Sequence, residues 1–346
     1  MSRLAIPRRT VLAGLGATVL APALTRRARA AGDLVAAIYP AAWEDAYVGV
    51  VKPAVKAKHN INVNFASLYA VDQIAKLAAA RGNPPFDVIV LDPGPRITAI
   101  ERQVIERFDA GKLTNRAAVP PIFIDDWGIG VSAQIVGLGY NPKKMDAPKS
   151  WTDILTPPYL RRLALVGFQT TFATMSLMEL NKQLGGSIEN PEPVFKVIRE
   201  IAPNVGAVAA PATIATLYQQ GQVDLIYHTY AEIAAMKSRG LDIEFAKPAS
   251  GMPMFYNTLH LAKGAREVAN AYQYIDTVIE KDVQARLQAK PWNFLSVNKG
   301  VDLSADFPPA VIKSHDELQA MVTYDWAQIN KYRTQWIERF NKTVAT

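Results

Sequence analysis

Short apolar runs alternate with amphipathic stretches along the chain from Asp33 onward, an arrangement typical of α/β proteins. The clearest run is FDVIVL at 86–91, which predicts a buried strand. The other predicted strands are 33–39, 61–65, 163–166, 205–209, 223–227 and 258–262, and 129–140 is expected to be extended. Predicted helices cover 44–58, 72–81, 151–155, 170–184, 211–220, 230–239, 265–280 and most of 314–341.

The first thirty residues have a different pattern. Arg8 and Arg9 precede a short apolar run, and Ala28-Arg29-Ala30 places small residues at −3 and −1 of a cleavage site. This is typical of a cleaved export signal over 1–30, and the paired arginines favour twin-arginine export. The apolar run is shorter than the roughly twenty residues of a membrane span. We therefore expect export to the periplasm rather than anchoring.

Removal of that signal changes the charge. The chain carries 38 basic and 31 acidic residues, and six of the arginines lie within 1–30, which contains no acid. The remainder is nearly neutral, which argues against a nucleic-acid partner, because that affinity depends on clustered Lys and Arg. The chain has no cysteine, so no disulfide, thiolate metal site or lipid-anchored cysteine is expected.

The remaining sequence contains no catalytic signature. It has no Gly-x-Ser-x-Gly elbow, no His-Glu-x-x-His pair and no phosphate-binding loop. The four histidines are dispersed, and none pairs at metal-ligand spacing. We expect no catalytic residue, no metal and no cofactor.

Several motifs, in order, resemble the periplasmic solute-binding proteins of ABC importers, closest to the spermidine/putrescine-binding group. They are Tyr39-x3-Trp43-x3-Tyr47-Val48, the strand 86–90 with its turn, Lys112-Leu113-Thr114-Asn115, Gly137-Leu138-Gly139-Tyr140-Asn141 leading into 150–155, Leu217-x3-Gly221-Gln222-Val223-Asp224-Leu225, and Asp325-Trp326-x2-Ile329-Asn330. The resemblance implies an α/β, two-lobe periplasmic-binding-protein fold of type II, with the ligand in a cleft between lobes joined by two crossing strands. It places 33–136 plus 258–303 in the first lobe and 137–257 plus 304–346 in the second.

Some candidate ligand-binding residues lie where predicted strands end and helices begin, the edge at which open α/β sheets bind ligands. For the start of the first helix and for the return crossing, the resemblance implies the ligand contacts. They come from the start of the first helix, the turn after strand 86–91, the turn after strand 163–166, the end of strand 223–227, the return crossing and a late loop. They are Trp43, Tyr47, Asp92, Gly94, Arg96, Gln169, Thr170, Thr171, Tyr227, His228, Phe255, Tyr256, Asn257 and Trp292.

Several of these residues also allow an ordinary structural role. Trp43 and Tyr47 could be core aromatics, Asp92 and the two threonines could be helix caps, and Arg96 could be solvated. His228 alone more often satisfies a local hydrogen bond than binds a metal.

The sequence departs from the polyamine-binding pattern at the charged positions. Buried ammonium groups need carboxylates, but the matched positions hold Gly167 or Phe168, Thr171 and Asn257. Asp92 is the one acid expected near the cleft. The ligand is therefore predicted to be a neutral, zwitterionic or anionic small organic molecule.

Three classes of function follow, of which the importer receptor is the principal hypothesis. As such a receptor, the protein would act as a monomer that delivers its ligand to an inner-membrane ABC permease. The alternatives are an exported enzyme and a ligand-sensing module on the same fold. Turnover of a bound ligand would identify the enzyme, and the membrane partner would identify the sensor.

Overall fold

The computed structural model describes residues 32–308 and 311–345. The predicted export signal lies outside the described residues. The strands are β1 (Asp33–Ile38), β2 (Asn62–Ser67), β3 (Val88–Leu91), β4 (Ile124–Asp125), β5 (Gly128–Tyr140), β6 (Ala164–Leu165), β7 (Ala207–Val208), β8 (Leu225–Thr229), β9 (Glu244–Ala246) and β10 (Met254–Leu261).

The helices are α1 (Ala42–Ala46), α2 (Lys52–His59), α3 (Ala70–Ala79), α4 (Pro93–Glu101), α5 (Thr171–Gln183), α6 (Glu192–Ile201), α7 (Ile214–Gln219), α8 (Tyr230–Ser238), α9 (Val268–Val278), α10 (Lys281–Gln288), α11 (His315–Ala320) and α12 (Trp326–Val344). A π-helical turn, Tyr47–Val51, joins α1 to α2. Short 3₁₀ turns cover Ala110–Lys112, Thr114–Ala118, Pro121–Phe123, Trp151–Leu155, Leu160–Arg162, Ala202–Asn204, Pro211–Thr213 and Leu303–Ala305.

The α/β fold has two lobes that share one long strand. Strands β2, β1, β3, β10, β5 and β4 are neighbours in that order. The first half of β5 pairs antiparallel with β10, from Ile129 to Ile135, and its second half pairs with β8 and β9. Strand β5 therefore crosses from one lobe to the other, and its near-continuous burial agrees with the extended segment predicted for 129–140, which is rich in small and β-branched residues.

The apolar cores follow this division. Strands β1 to β3 and helices α2 and α9 pack in one core, whereas β8, α5, α6 and α12 pack in another. The predicted lobe boundaries stay a prediction, but the cores add one observation. Phe307, Ile312 and Leu318 pack with the first core, and Trp326 and Phe340 of the C-terminal helix pack with the second.

Most predicted elements are present, with shifts at their ends. The predicted helix 44–58 is divided by the π-helical turn Tyr47–Val51, which directly precedes α2 and its second residue Pro53. Strand β10 begins at Met254, four residues before the predicted strand 258–262. Helices α6 and α10 were not predicted, although each is an amphipathic stretch.

Candidate functional site

Four helices, each the next helix after a strand, begin at the same place between the lobes. Helices α1 and α4 follow β1 and β3 in the first lobe, and α5 and α8 follow β6 and β8 in the second. Their N-termini carry N–H groups without partners inside the helix and a partial positive charge. Asp92, Thr170 and Thr229 are the residues that precede α4, α5 and α8.

A cavity of about 400 Å³ lies at this convergence and is lined by both lobes. Nine of the candidate residues line it, and they are Trp43, Asp92, Gln169, Thr170, Thr171, His228, Phe255, Asn257 and Trp292. The cavity also has lining residues that the sequence analysis missed, among them Tyr39, Gln134, Phe172, Glu232, Phe294 and Arg333.

Asp92 is the partly buried centre of a hydrogen-bond network that crosses the cleft. Its Oδ1 accepts from Tyr39 Oη at 2.9 Å and from Asn257 Nδ2 at 2.6 Å, and its Oδ2 accepts from Thr171 Oγ1 at 2.9 Å. Burial raises the pKa of the Asp92 carboxyl, whereas these donors and the nearby Arg333 guanidinium lower it. The carboxyl is thus occupied by the protein itself and ties the lobes to the crossing strand.

Aromatic rings form the first-lobe wall. Trp43 stacks on Tyr47 with ring centroids 5.5 Å apart, and it contacts Phe294 at 4.7 Å and Tyr39 edge-on at 5.6 Å. Trp292 lies in the same cavity wall. Trp43 is therefore held rigidly by its neighbours, which gives a ligand a flat apolar surface at small cost in side-chain entropy.

His228 is a neutral hydrogen-bond donor in the second-lobe wall. Its Nδ1 accepts from the Thr229 backbone N–H at 2.9 Å, so in the neutral ring the proton is on Nε2. Burial lowers the pKa of His228 to about 3, which keeps the ring neutral at physiological pH. The ring stacks on Phe172 with centroids 3.9 Å apart. His228 thus makes a local hydrogen bond and also lines the cavity.

The other five candidate residues do not line this cavity. Tyr47 is buried beneath Trp43, and the Tyr227 hydroxyl bonds the backbone of Val166 in the second core. Arg96 forms an ion pair with Asp125 at 2.6 Å. Arg96 and Tyr256 line a smaller separate cavity of about 240 Å³, and Gly94 lies beneath α12.

Arg333 was missed because its place in the cavity depends on a distant part of the chain. It lies on α12, where its Nε and Nη2 donate to the carbonyl oxygens of Phe168 and Gln169 at 3.0 and 2.9 Å. No local motif marks this arginine among the many charged positions of an amphipathic helix. Asn330, one turn earlier, donates to the carbonyl oxygen of Gly94 at 2.8 Å, so α12 contacts both lobes.

Two further observations concern residues 32–308 and 311–345. Within these ranges, no group of three His, Cys, Asp or Glu side chains is arranged to hold a metal ion. No helix in the same ranges is long and apolar enough to cross a membrane.

The comparisons with known proteins agree on one family. The profile of the bacterial extracellular solute-binding proteins matches residues 51–320. The spermidine/putrescine-binding periplasmic protein of Escherichia coli K12 is 25% identical over 195 residues, which cover 52% of this chain and 54% of that protein. The chain thus aligns with only about half the length of this curated relative.

Solved structures share the fold. The ABC transporter substrate-binding protein of Bradyrhizobium japonicum USDA 110 superposes with a TM-score of 0.75 at 19% identity, covering 90% of this chain and 99% of that one. The spermidine/putrescine ABC transporter substrate-binding protein of Streptococcus pneumoniae gives a TM-score of 0.71 at 14% identity, with 90% and 99% coverage. At these identities the likeness establishes the two-lobe fold.

Proposed function

The chain belongs to the bacterial extracellular solute-binding proteins, and from that premise we propose that it captures a small organic solute in the cavity between its lobes and delivers it to an ABC permease. The observation that carries this proposal is the cavity of about 400 Å³ at the meeting point of four helix N-termini. A concave, largely apolar site with a few converging polar groups is typical of small-molecule binding.

Both lobes contribute to the proposed binding site. Trp43 and Trp292 supply apolar surface from the first lobe, and His228 and Thr171 supply hydrogen-bonding groups from the second. A ligand that contacts both walls stabilises the closed arrangement over an open one, because those contacts exist together only when the lobes are close. Closure then presents one defined surface to the permease.

The proposal extends to location and assembly. We propose that 1–30 directs export and is cleaved, and that the receptor works as a monomer in the periplasm. The near-neutral composition of the remaining chain supports a small-molecule partner rather than a nucleic acid. The family is one of transport receptors, so we expect binding without turnover.

The test is isothermal titration calorimetry of the purified protein with amino acids, carboxylates, phosphonates, putrescine and spermidine. We expect saturable one-to-one binding by at least one of these solutes, with the recovered solute chemically unchanged. Chemical conversion of the bound solute would contradict the receptor function. A complete lack of response over this range would count against the proposal as well.

A further inference from the structure

The floor of the cavity contains a hydrogen-bond acceptor that the protein does not use. Asn257 is 3% exposed, and its Nδ2 donates to Asp92 Oδ1. With Nδ2 directed at Asp92, Oδ1 is the free end of the Asn257 amide. Asn257 Oδ1 is buried and receives no donor from the described residues. A buried acceptor that no donor reaches destabilises the protein, so a ligand donor at this place would be favoured.

Gln134 places a second acceptor on the same floor. In the ladder between β5 and β10, Ser132 lies opposite Asn257 and Gln134 lies opposite Phe255, so these side chains share a face. Gln134 Nε2 donates to Ser132 Oγ at 3.1 Å, and Oε1 is the remaining end of the amide. The two crossing strands therefore present carbonyl oxygens to the cavity.

The second-lobe wall has the opposite character. His228 presents Nε2–H, and α5 begins at Thr171 with backbone N–H groups that have no partner inside the helix. Arg333 uses Nε and Nη2 on backbone carbonyls, while its Nη1 donates to no described acceptor. Donors and positive charge are concentrated on this wall, which suits a carboxylate.

The acids that line the cavity are already engaged. Asp92 accepts three hydrogen bonds from the protein, and Glu232 forms an ion pair with Arg239 at 3.1 Å. A diamine would bring two positive charges to a cavity whose carboxylates both have partners. A dicarboxylate would place one of its charges against the acceptor floor. Each arrangement leaves a charge poorly compensated.

We propose that the solute is a zwitterion with one ammonium and one carboxylate group, oriented by this polarity, an inference that rests on the proposed receptor function. The ammonium group donates to Asn257 Oδ1 at the floor, beside Asp92. The carboxylate accepts from His228 Nε2 and the start of α5. The carbon body packs against Trp43 and Trp292.

The experiment compares solutes of matched length by calorimetry on the purified protein. For each chain of two to six carbons, the probes are the ω-amino acid, the α,ω-diamine and the α,ω-dicarboxylate, with the α-amino acids added to the zwitterion class. We expect a zwitterion to bind at least tenfold more tightly than any diamine or dicarboxylate.

A diamine or a dicarboxylate as the tightest probe would overturn the zwitterion inference while leaving the receptor function intact. Binding confined to the carboxylates or phosphonates of the wider panel would have the same meaning. A lack of binding by every solute in both panels would overturn the receptor function and the inference together.

Two variants test the two ends of the ligand separately. His228→Phe keeps a ring against Phe172 and removes the Nε2 donor, so zwitterion affinity should fall about tenfold while affinity for the amine-only n-alkylamine of equal length stays within twofold. Asn257→Asp replaces the amide by a carboxylate and should shift the preference toward the diamine by at least tenfold.

Thermal melting with and without ligand shows whether each variant is folded. Equal losses of zwitterion and alkylamine affinity in a folded His228→Phe would contradict the predicted orientation. An unchanged zwitterion-to-diamine ratio in a folded Asn257→Asp would do the same. If either variant fails to fold, the other decides the orientation of the ligand.

Discussion

Thr171 and Asp92, which belong to different lobes, are joined by a 2.9 Å hydrogen bond from Thr171 Oγ1 to Asp92 Oδ2. Asp92 is also bonded by Asn257 of the crossing strand β10. One partly buried carboxylate therefore connects the first lobe, the second lobe and the connection between them.

Thr171→Val tests the contribution of this bond to stability. Valine is similar in size but lacks the hydroxyl donor, so Asp92 Oδ2 loses a partner in a buried setting. We expect the free energy of unfolding to fall by about 1.5–3 kcal/mol, measured by urea denaturation. The control is Thr216→Val on the exposed surface of α7, expected to change stability by less than about 0.5 kcal/mol. Equal effects in the two variants would contradict the role of the cross-cleft bond.

Trp43→Ala tests the aromatic wall. Removing the indole that packs against Tyr47 and Phe294 should weaken the binding of any cavity ligand by roughly 10- to 100-fold, because the apolar platform is lost. The measurement is calorimetric affinity with the tightest solute found. The matched control is Trp127→Ala, whose ring contacts Arg107 outside the cavity and whose loss should leave affinity unchanged. Unchanged affinity in Trp43→Ala would mean that the ligand binds elsewhere.

Gly94→Ala tests the close approach of α4 and α12. A Cβ at Gly94 would lie 2.9 Å from Arg333 Nη1 and 3.1 Å from the Trp326 ring, so these two side chains must move aside. We expect a loss of about 1 kcal/mol in stability, measured by chemical denaturation. Gly49→Ala is the control, because the nearest atom is 3.9 Å away and alanine favours a helix. A neutral Gly94→Ala would show that Arg333 and Trp326 make room for the methyl group without loss of packing.

Buried His228 should make stability depend on pH. Its pKa is about 3 when folded, against an ordinary value near 6.5, so between these values the unfolded chain binds a proton that the native protein does not. The free energy of unfolding is therefore unaffected by His228 above pH 6.5 and decreases as the pH falls from 6.5 toward 3. The difference in unfolding free energy between wild type and His228→Phe should therefore change by about 3–5 kcal/mol across this window. If the difference in unfolding free energy between the two proteins stays the same from pH 7 to pH 4, the prediction is wrong.

Arg96→Gln distinguishes the sequence hypothesis from the observed geometry. The residue was a candidate ligand contact, but its guanidinium pairs with Asp125 outside the main cavity. We expect solute affinity within twofold of wild type by calorimetry, together with a stability loss of about 1 kcal/mol from the half-buried pair. A tenfold loss of affinity with unchanged stability would indicate that Arg96 contacts the ligand.

Local patterns predicted the elements that position the cavity. The run 86–91 predicted a strand, and the turn after it predicted a helix start at Pro95, two residues later than the observed start of α4 at Pro93. The same reasoning placed Thr170, Thr171 and His228 at the ends of predicted strands or the starts of predicted helices. Apolar periodicity and turn residues are local properties, so they can be recognised within a dozen residues. They do not specify where a strand begins or ends within a shared sheet, which is why β10 begins four residues before the predicted strand.

The sequence by itself determined the α/β class, the family and the chain segments whose ends meet between the lobes. Only the tertiary structure decided what each polar group faces. It paired Asp92 with Asn257, 165 positions away, and it brought Arg333 of the last helix against the start of α5. It also turned Arg96 toward Asp125. The reason is physical: hydrophobic periodicity fixes which face of an element is buried, whereas the partner of a buried charge depends on how distant elements pack.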